Sequence, residues 1–284
     1  MAAKAKDKMR PGKAAASAAA VVLTLIWVFP VYWMLSSSLL PNTVLTATTP
    51  TFFPAGGSLN NFAAVLSSGT FFAALGTSLA VTLIAVFFCL LFAFCAALAI
   101  SRYHFKGRTS FVLAVLFIQM LPAEGLFIAQ YKLLSSAGLL NNVLGLSVLY
   151  VAAVIPFTVW MLRGFVAGVP ADLEEAAMVD GCSRTGAFFR ITFPLLAPGL
   201  VASGVYAFLQ AWNEFTIALV IMQSEASRTL PLWLRTFIQA SATRETDWGQ
   251  VMAASTLVAV PVIIFFLLVQ GRMTSGLVAG AVKG

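Results

Sequence analysis

The sequence predicts an all-α integral membrane fold of six transmembrane helices, and three observations carry that expectation. Apolar residues make up 60% of the chain and charged residues only 10%, too few to coat a water-soluble globule of 284 residues. The mean hydropathy is +0.94. The apolar residues also gather into continuous runs near 17–39, 72–100, 110–131, 143–167, 197–223 and 250–270. Each is about the 20 residues a helix needs to cross a bilayer. The ten-residue alternation of a membrane barrel is absent, and unbroken apolar runs demand helices that satisfy their own backbone groups.

The first run follows a tail, 1–16, that carries Lys4, Lys6, Lys8, Arg10 and Lys13. A basic start before an apolar stretch is also how a secretory signal begins. Here no small-x-small cleavage site follows, and the run continues through Tyr32, Trp33, Met34 and Leu35, so it reads as an uncleaved first span. The loop after the second run holds Arg102, Lys106 and Arg108, with the single histidine, His104, read as a solvated loop residue. Pro30, Pro122, Pro156 and Pro261 fall inside runs, where each removes a backbone donor and kinks a helix. Structural and gating roles both fit such kinks.

The end of the fourth run and the segment after it carry Arg163, Arg184 and Arg190, and the last stretch, 271–284, adds Arg272 and Lys283. Only Lys132, Arg228, Arg235 and Arg244 lie on the opposite side, and residues 41–70 hold no charge. Basic residues are retained in the cytoplasm, so both termini are expected there. Dispersal of the +7 net charge along membrane edges, without interleaved stacking aromatics, argues against nucleic acid as a partner. Cys89, Cys95 and Cys182 form neither a paired framework nor a metal-ligand cluster, so no metal is expected.

Between the fourth and fifth runs lies a charge-bearing elbow, 169–195. Asp172 is placed to cap a short helix, with Glu175 answering three residues later, and Gly181 to stop it. Leu173, Ala176 and Ala177 share a face that another protein can approach closely, ringed by Glu174, Glu175 and Asp180. Ser183 is placed to cap a second short helix. An elbow of this kind packs on its own helix ends or on a partner.

Glu175-Ala176-Ala177, then Gly181, then Ile191-Thr192-Phe193-Pro194 resembles the E-A-A-x3-G-x9-I-x-L-P loop of permease subunits of binding-protein-dependent ABC importers, with Phe193 where the family usually has Leu. Trp212-Asn213-Glu214-Phe215, Thr229-Leu230-Pro231, Asp247-Trp248 and the ending Gly280-Ala281-Val282-Lys283-Gly284 resemble the carbohydrate branch, on its MalG-like side. The resemblance implies a cytoplasmic EAA coupling elbow that docks on an ATPase through Glu174, Glu175, Ala176, Ala177, Asp180 and Gly181. It implies a second, MalF-like permease, two ABC ATPase subunits and an extracytoplasmic sugar-binding protein as partners, all within membrane lipid. It further implies that Val282, Lys283 and Gly284 reach toward the ATPase. A frayed, solvated terminus fits that tail as well.

The chain has no G-x-x-x-x-G-K-[ST] loop, so it binds no cofactor by this reading, and ATP with Mg is expected in the partner ATPase. No catalytic constellation marks it as an enzyme. Candidates for the substrate path are Gln210, Trp212, Asn213 and Glu214, which offer ring faces and hydrogen bonds to a sugar, and Glu124, a carboxylate within the third run. Trp212 also suits an interfacial anchor, and Glu124 an outer-interface site. An importer for a non-sugar solute, or a proton-coupled carrier using Glu124 or Glu214, are the alternatives; the carrier leaves the elbow unexplained.

Overall fold

The computed structural model describes residues 11–239 and 245–281, and every regular element among them is helical. Among the described residues five helices are long and apolar enough to cross a membrane: Ala15–Ser38, Phe71–Arg102, Val143–Ala167, Arg184–Asn213 and Trp248–Gly271. A sixth crossing exists only if Arg108–Gln119 and Ala123–Ser136, bent by 92°, count as one. The bend falls at Pro122, where a kink within the third run was expected, and it is large enough to divide the run into separate helices. Pro122 lacks a donor and takes an extended backbone, φ −66° and ψ 120°, so the helix stops and restarts.

The chain divides into two compact units, Met1–Ser68 with Phe237–Leu257, and Gly69–Thr236 with Val258–Gly284. The first unit contains α1 (Pro11–Ser38), α2 (Asn42–Leu45) and α3 (Asn60–Ser67). The Asn61 amide donates to the carbonyls of Ser38 (2.9 Å) and Leu40 (2.8 Å), meeting acceptors that the end of α1 leaves open. Gly249 belongs to the same knot, since a side chain there would lie 2.6 Å from the Asn61 amide nitrogen. Asp247 accepts from the Gln250 backbone at 3.1 Å and caps the last helix, whose Trp248 N–H donates to Asn42 at 3.0 Å.

The second unit holds α4 (Phe71–Arg102), α5 (Arg108–Gln119), α6 (Phe127–Ser136), α7 (Val143–Ala167), α8 (Asp172–Val179), α9 (Arg184–Ala187), α10 (Phe193–Asn213), α11 (Thr216–Ile221) and α12 (Leu230–Ile238). The closing helix, α13 (Trp248–Ala281), contributes to both units. It runs beyond residue 270, so most of the stretch expected to be a tail is helical.

Along α4, Ala74, Ser78, Val81, Ala85, Cys89, Ala93 and Ala97 are buried at three- and four-residue spacing. Lipid tails are as apolar as leucine, so helices here gain by close approach and shape rather than by leaving water, and small residues permit that approach. Leu162, Val166 and Leu196 join Ala93, Ala97 and Ile100 in one cluster, which locks α7 and α10 against α4. The Cys89 thiol and the Thr158 hydroxyl meet at 3.4 Å within the same seam.

Gly199 marks the tightest crossing of α10 and α7, because an added Cβ would stand 2.7 Å from Phe165 Cβ. Gly199→Val is expected to lower the stability of the detergent-purified protein by about 1–3 kcal/mol through overpacking. Gly204→Ala, whose Cβ would meet only Leu90 Cδ1 at 3.4 Å, is expected to leave the thermal midpoint nearly unchanged in the same assay.

Candidate functional site

The elbow begins where α7 gives way to α8. Ala171, not Asp172, occupies the N-cap, and it makes no side-chain bond. Asp172, Glu174 and Glu175 instead lie inside the first turn, where negative charge complements the helix dipole. The expected capping box is therefore absent. Pro170 precedes Ala171, which already has helical φ/ψ and whose methyl side chain offers no acceptor to the turn's free donors.

The C-terminal end of α8 follows the expected design. Gly181 has φ +89°. Its N–H donates to the Met178 carbonyl (3.1 Å), and the Cys182 N–H to the Ala177 carbonyl (3.0 Å), the paired bonds of a glycine-terminated helix. Ser183 then caps α9, accepting from the Gly186 N–H at 3.1 Å. Residues Phe188–Thr192 widen into a π-turn, closed by the Phe193 N–H on the Phe188 carbonyl. Pro194 has no N–H for the carbonyl four residues back, which gives the wider turn a physical cause.

The two glutamates of the motif point to different surroundings. One Glu174 carboxylate oxygen accepts the Thr192 hydroxyl at 2.7 Å and lies 3.4 Å from the Arg102 guanidinium. Glu175 and Ala176 are exposed, as is Asp180, whose carboxylate makes no bond among the described residues. Ala177 is 5% exposed and packs inward, so it does not belong to the outward face expected of it. The exposed apolar residues of the helix are Leu173, Ala176, Met178 and Val179, the last 88% exposed. Arg102, Tyr103, Glu174, Glu175, Met178 and Arg184 line a cleft of about 560 Å³ beside α8. Arg184 lies over the Tyr103 ring at 5.9 Å. Arg102 and Tyr103, 72 and 71 residues before Glu174, had given no sign in the sequence of belonging here.

The substrate-path candidates separate into two groups. Trp212 is 1% exposed and stacks on Phe208 at 5.6 Å, which itself stacks on Phe265 at 3.8 Å. It is a core residue, neither an interfacial anchor nor free for a ligand. Glu214 stands at a break between α10 and α11, where the fifth run was expected to continue. Its two oxygens accept from the Ile217 N–H (2.6 Å) and the Ala218 N–H (3.0 Å), and the Tyr150 hydroxyl donates to it at 2.7 Å.

Gln210 and Asn213 are exposed and three residues apart on α10, with Tyr206 one turn before Gln210 on the same face. The Asn213 amide donates to the Leu209 carbonyl at 2.8 Å, which leaves its own carbonyl oxygen outward. Tyr206 packs on Phe157 at 4.5 Å, and Phe157 on Trp160 at 5.8 Å, adding rings that the sequence alone did not single out. Glu124 is exposed on the turn after Pro122, apart from these residues in sequence, and its carboxylate makes no bond among the described residues. Val282, Lys283 and Gly284 lie outside the described residues. Among the described residues no three His, Cys, Asp or Glu side chains converge as metal ligands do.

Residues 1–277 match the family model described as binding-protein-dependent transport system inner membrane component. The chain is 42% identical to the diacetylchitobiose uptake system permease protein DasC of Streptomyces coelicolor, across 93% of this chain and 95% of that one. It is 35% identical to the trehalose/maltose transport system permease protein MalG of Thermococcus litoralis, again across 93% and 95%. The fold is similar to a chain in the crystal structure of a bacterial ABC transporter that imports the acidic polysaccharide alginate, with a TM-score of 0.76 and 21% identity, covering 95% of this chain and 99% of the other.

The bonds to Glu214 predict a stability effect. Glu214→Ala removes the acceptors for two backbone donors and leaves the buried Tyr150 hydroxyl only the longer bond to the Glu214 carbonyl at 3.3 Å, an expected loss of about 2–4 kcal/mol. Tyr150→Phe is expected to cost about 1 kcal/mol. Thermal unfolding of both variants in detergent checks the order; a ligand-binding role for Glu214 would leave the midpoint of Glu214→Ala where it was.

Proposed function

This chain belongs to the family of binding-protein-dependent transport system inner membrane components, and from that premise we propose that it is one of two permeases forming the pore of an ATP-driven carbohydrate importer. The observation that carries the coupling half of this reading is the exposed edge of α8. Glu175, Ala176 and Val179 face outward on a helix whose other side is held by Ala177 and Glu174. A short helix that is rigidly backed, apolar at its centre and acidic at its rim suits a basic-edged groove on another protein.

In this reading the groove belongs to an ATPase subunit, one of two, which binds ATP and Mg. This chain supplies no phosphate-cradling loop and hydrolyses nothing itself. Closure of the ATPase pair moves the docked elbow, and the spans rock between inward-open and outward-open arrangements. The second pore half is a MalF-like permease, and an extracytoplasmic binding protein delivers the solute. The basic residues at both chain ends set the termini in the cytoplasm. The tail ending Val282-Lys283-Gly284 extends toward the ATPases from that side.

Carbohydrate as the solute rests on the relatives, whose names specify diacetylchitobiose and trehalose or maltose. It rests also on the outward face of α10, where Tyr206, Gln210 and Asn213 present a ring and amide groups in an apolar span. Polar side chains on a span are expensive in lipid and face a cavity or another protein instead. The proton-coupled alternative loses ground on Glu214, whose oxygens are both occupied by hydrogen bonds within the chain.

Two predictions test this. Glu175→Lys reverses the charge at the docking edge and is expected to detach or uncouple the ATPase while membrane insertion stays normal; co-purification and ATP-driven uptake are the measurements. Unchanged uptake would sink the docking model. Gln210→Ala and Asn213→Ala are each expected to raise the half-saturating sugar concentration roughly threefold to tenfold, the worth of one hydrogen bond. Unaltered uptake kinetics in both would take the α10 face out of the path.

A further inference from the structure

We propose that Arg102, Glu174 and Thr192 form the joint that carries motion of the elbow into the membrane spans, an inference that rests on the elbow being the docking element. The three residues come from elements far apart in sequence. Arg102 is the last residue of α4, Glu174 lies in the first turn of α8, and Thr192 closes the π-turn that opens α10. One oxygen of Glu174 gathers them, accepting the Thr192 hydroxyl at 2.7 Å and facing the Arg102 guanidinium at 3.4 Å. Glu175, its neighbour, turns outward. The same short helix thus presents one carboxylate to a partner and the other to the spans.

Shielding makes the connection stiff. Thr192 is 0% exposed, and the side chains of Arg102 and Glu174 are 19% and 20% exposed. Separating such a pair strands a charge away from water, so displacement of α8 drags α4 and α10 rather than tearing the contact. These two helices pack on each other and on α7 through the small-residue seam, so a pull at their cytoplasmic-side ends moves them as a body.

The joint also has slack. Arg102 Nε is out of solvent with no hydrogen bond among the described residues, Nη2 is the atom that faces Glu174 at 3.4 Å, and the guanidinium borders the cleft that Glu175 and Arg184 share. An unused donor, Nε, beside a second carboxylate lets the arginine also engage Glu175 as the elbow shifts without releasing Glu174. The π-turn provides compliance on the α10 side, since its wider hydrogen-bond register can tighten to an ordinary helical turn. Two discrete pairings of one guanidinium are the two-state element that coupling requires. Arg102 and Thr192 act through Glu174 and are positioning residues.

The test uses the assembled transporter in proteoliposomes, with its mate permease, ATPases and binding protein. It reads ATP hydrolysed per sugar moved. Arg102→Ala, Glu174→Gln and Thr192→Val are each expected to raise that ratio roughly five-fold or more, the lower end of typical coupling, with the ATPase still co-purifying. The doubly reversed R102E/E174R is expected to return the ratio to within about twofold of wild type, and Thr192→Ser to leave it unchanged. A wild-type ratio in all three single variants, or a double reversal no better than its parents, overturns the joint. If Arg102→Ala does not assemble, the Thr192→Val and Thr192→Ser pair decides. Failure of the docking reading has a separate signature, because Glu175→Lys would then keep the ATPase bound and coupled.

Discussion

In hydrocarbon a backbone N–H or C=O without a partner has no water to turn to, and each one left open costs several kcal/mol. The rest of this structure depends on that constraint. Uninterrupted helices meet it without help, so its consequences show where a helix stops inside an apolar run. At the break after Asn213, Glu214 supplies acceptors to two N–H groups of α11 and takes the Tyr150 hydroxyl as well. At the far end of α11, the Asn141 N–H donates to the Ile221 carbonyl at 3.1 Å, while the Asn141 side chain accepts from the Ser224 N–H at 2.7 Å. Two polar residues therefore make a six-residue helix tolerable where a continuous span was expected.

The same constraint separates what residue order conveys from what it hides. Long apolar runs betray the spans because nothing else fits in a bilayer, and Gly181 betrays the stop of α8 because a positive φ asks for glycine. Pro122 announced a kink, but its size, 92°, depends on how α6 is held by neighbours distant in sequence. Trp212-Asn213-Glu214 read as one polar string with sugar chemistry. Folding sends its members three ways, because successive helical residues differ by about 100° in direction and because the helix ends between the second and the third. Only Asn213 keeps the outward aspect that the string suggested.

At the elbow, the local devices that depend on nearby residues were readable, and the long-range ones were not. Ser183 is followed by the donor it caps three residues later, and the sequence states as much. The neighbours of Glu174 are 72 residues before it and 18 after it. Nothing in the spacing of Arg102 and Thr192 pairs them, since their meeting is produced by α4 and α10 packing side by side. Ala177 illustrates the same limit from the other direction. Its chemistry suits a close contact with any surface, and only the fold decides that the surface is the chain's own.

Adjacent glutamates with opposite aspects are an economical way to build a lever. A docking helix that presented all its charge to a partner would rest on its own chain through apolar contacts alone, which slide easily in a membrane setting where they carry little directional preference. A helix that turned all its charge inward would offer the partner no orientation. Rotation by one residue places Glu175 at the rim and Glu174 over the ends of α4 and α10, so in the proposed joint a force applied at the first is delivered at the second within a single turn of helix. The cost is an Arg102 Nε held out of water with no hydrogen-bond partner among the described residues. That imperfection suits a joint, because a fully saturated pair has one stable arrangement and transmits motion only by breaking.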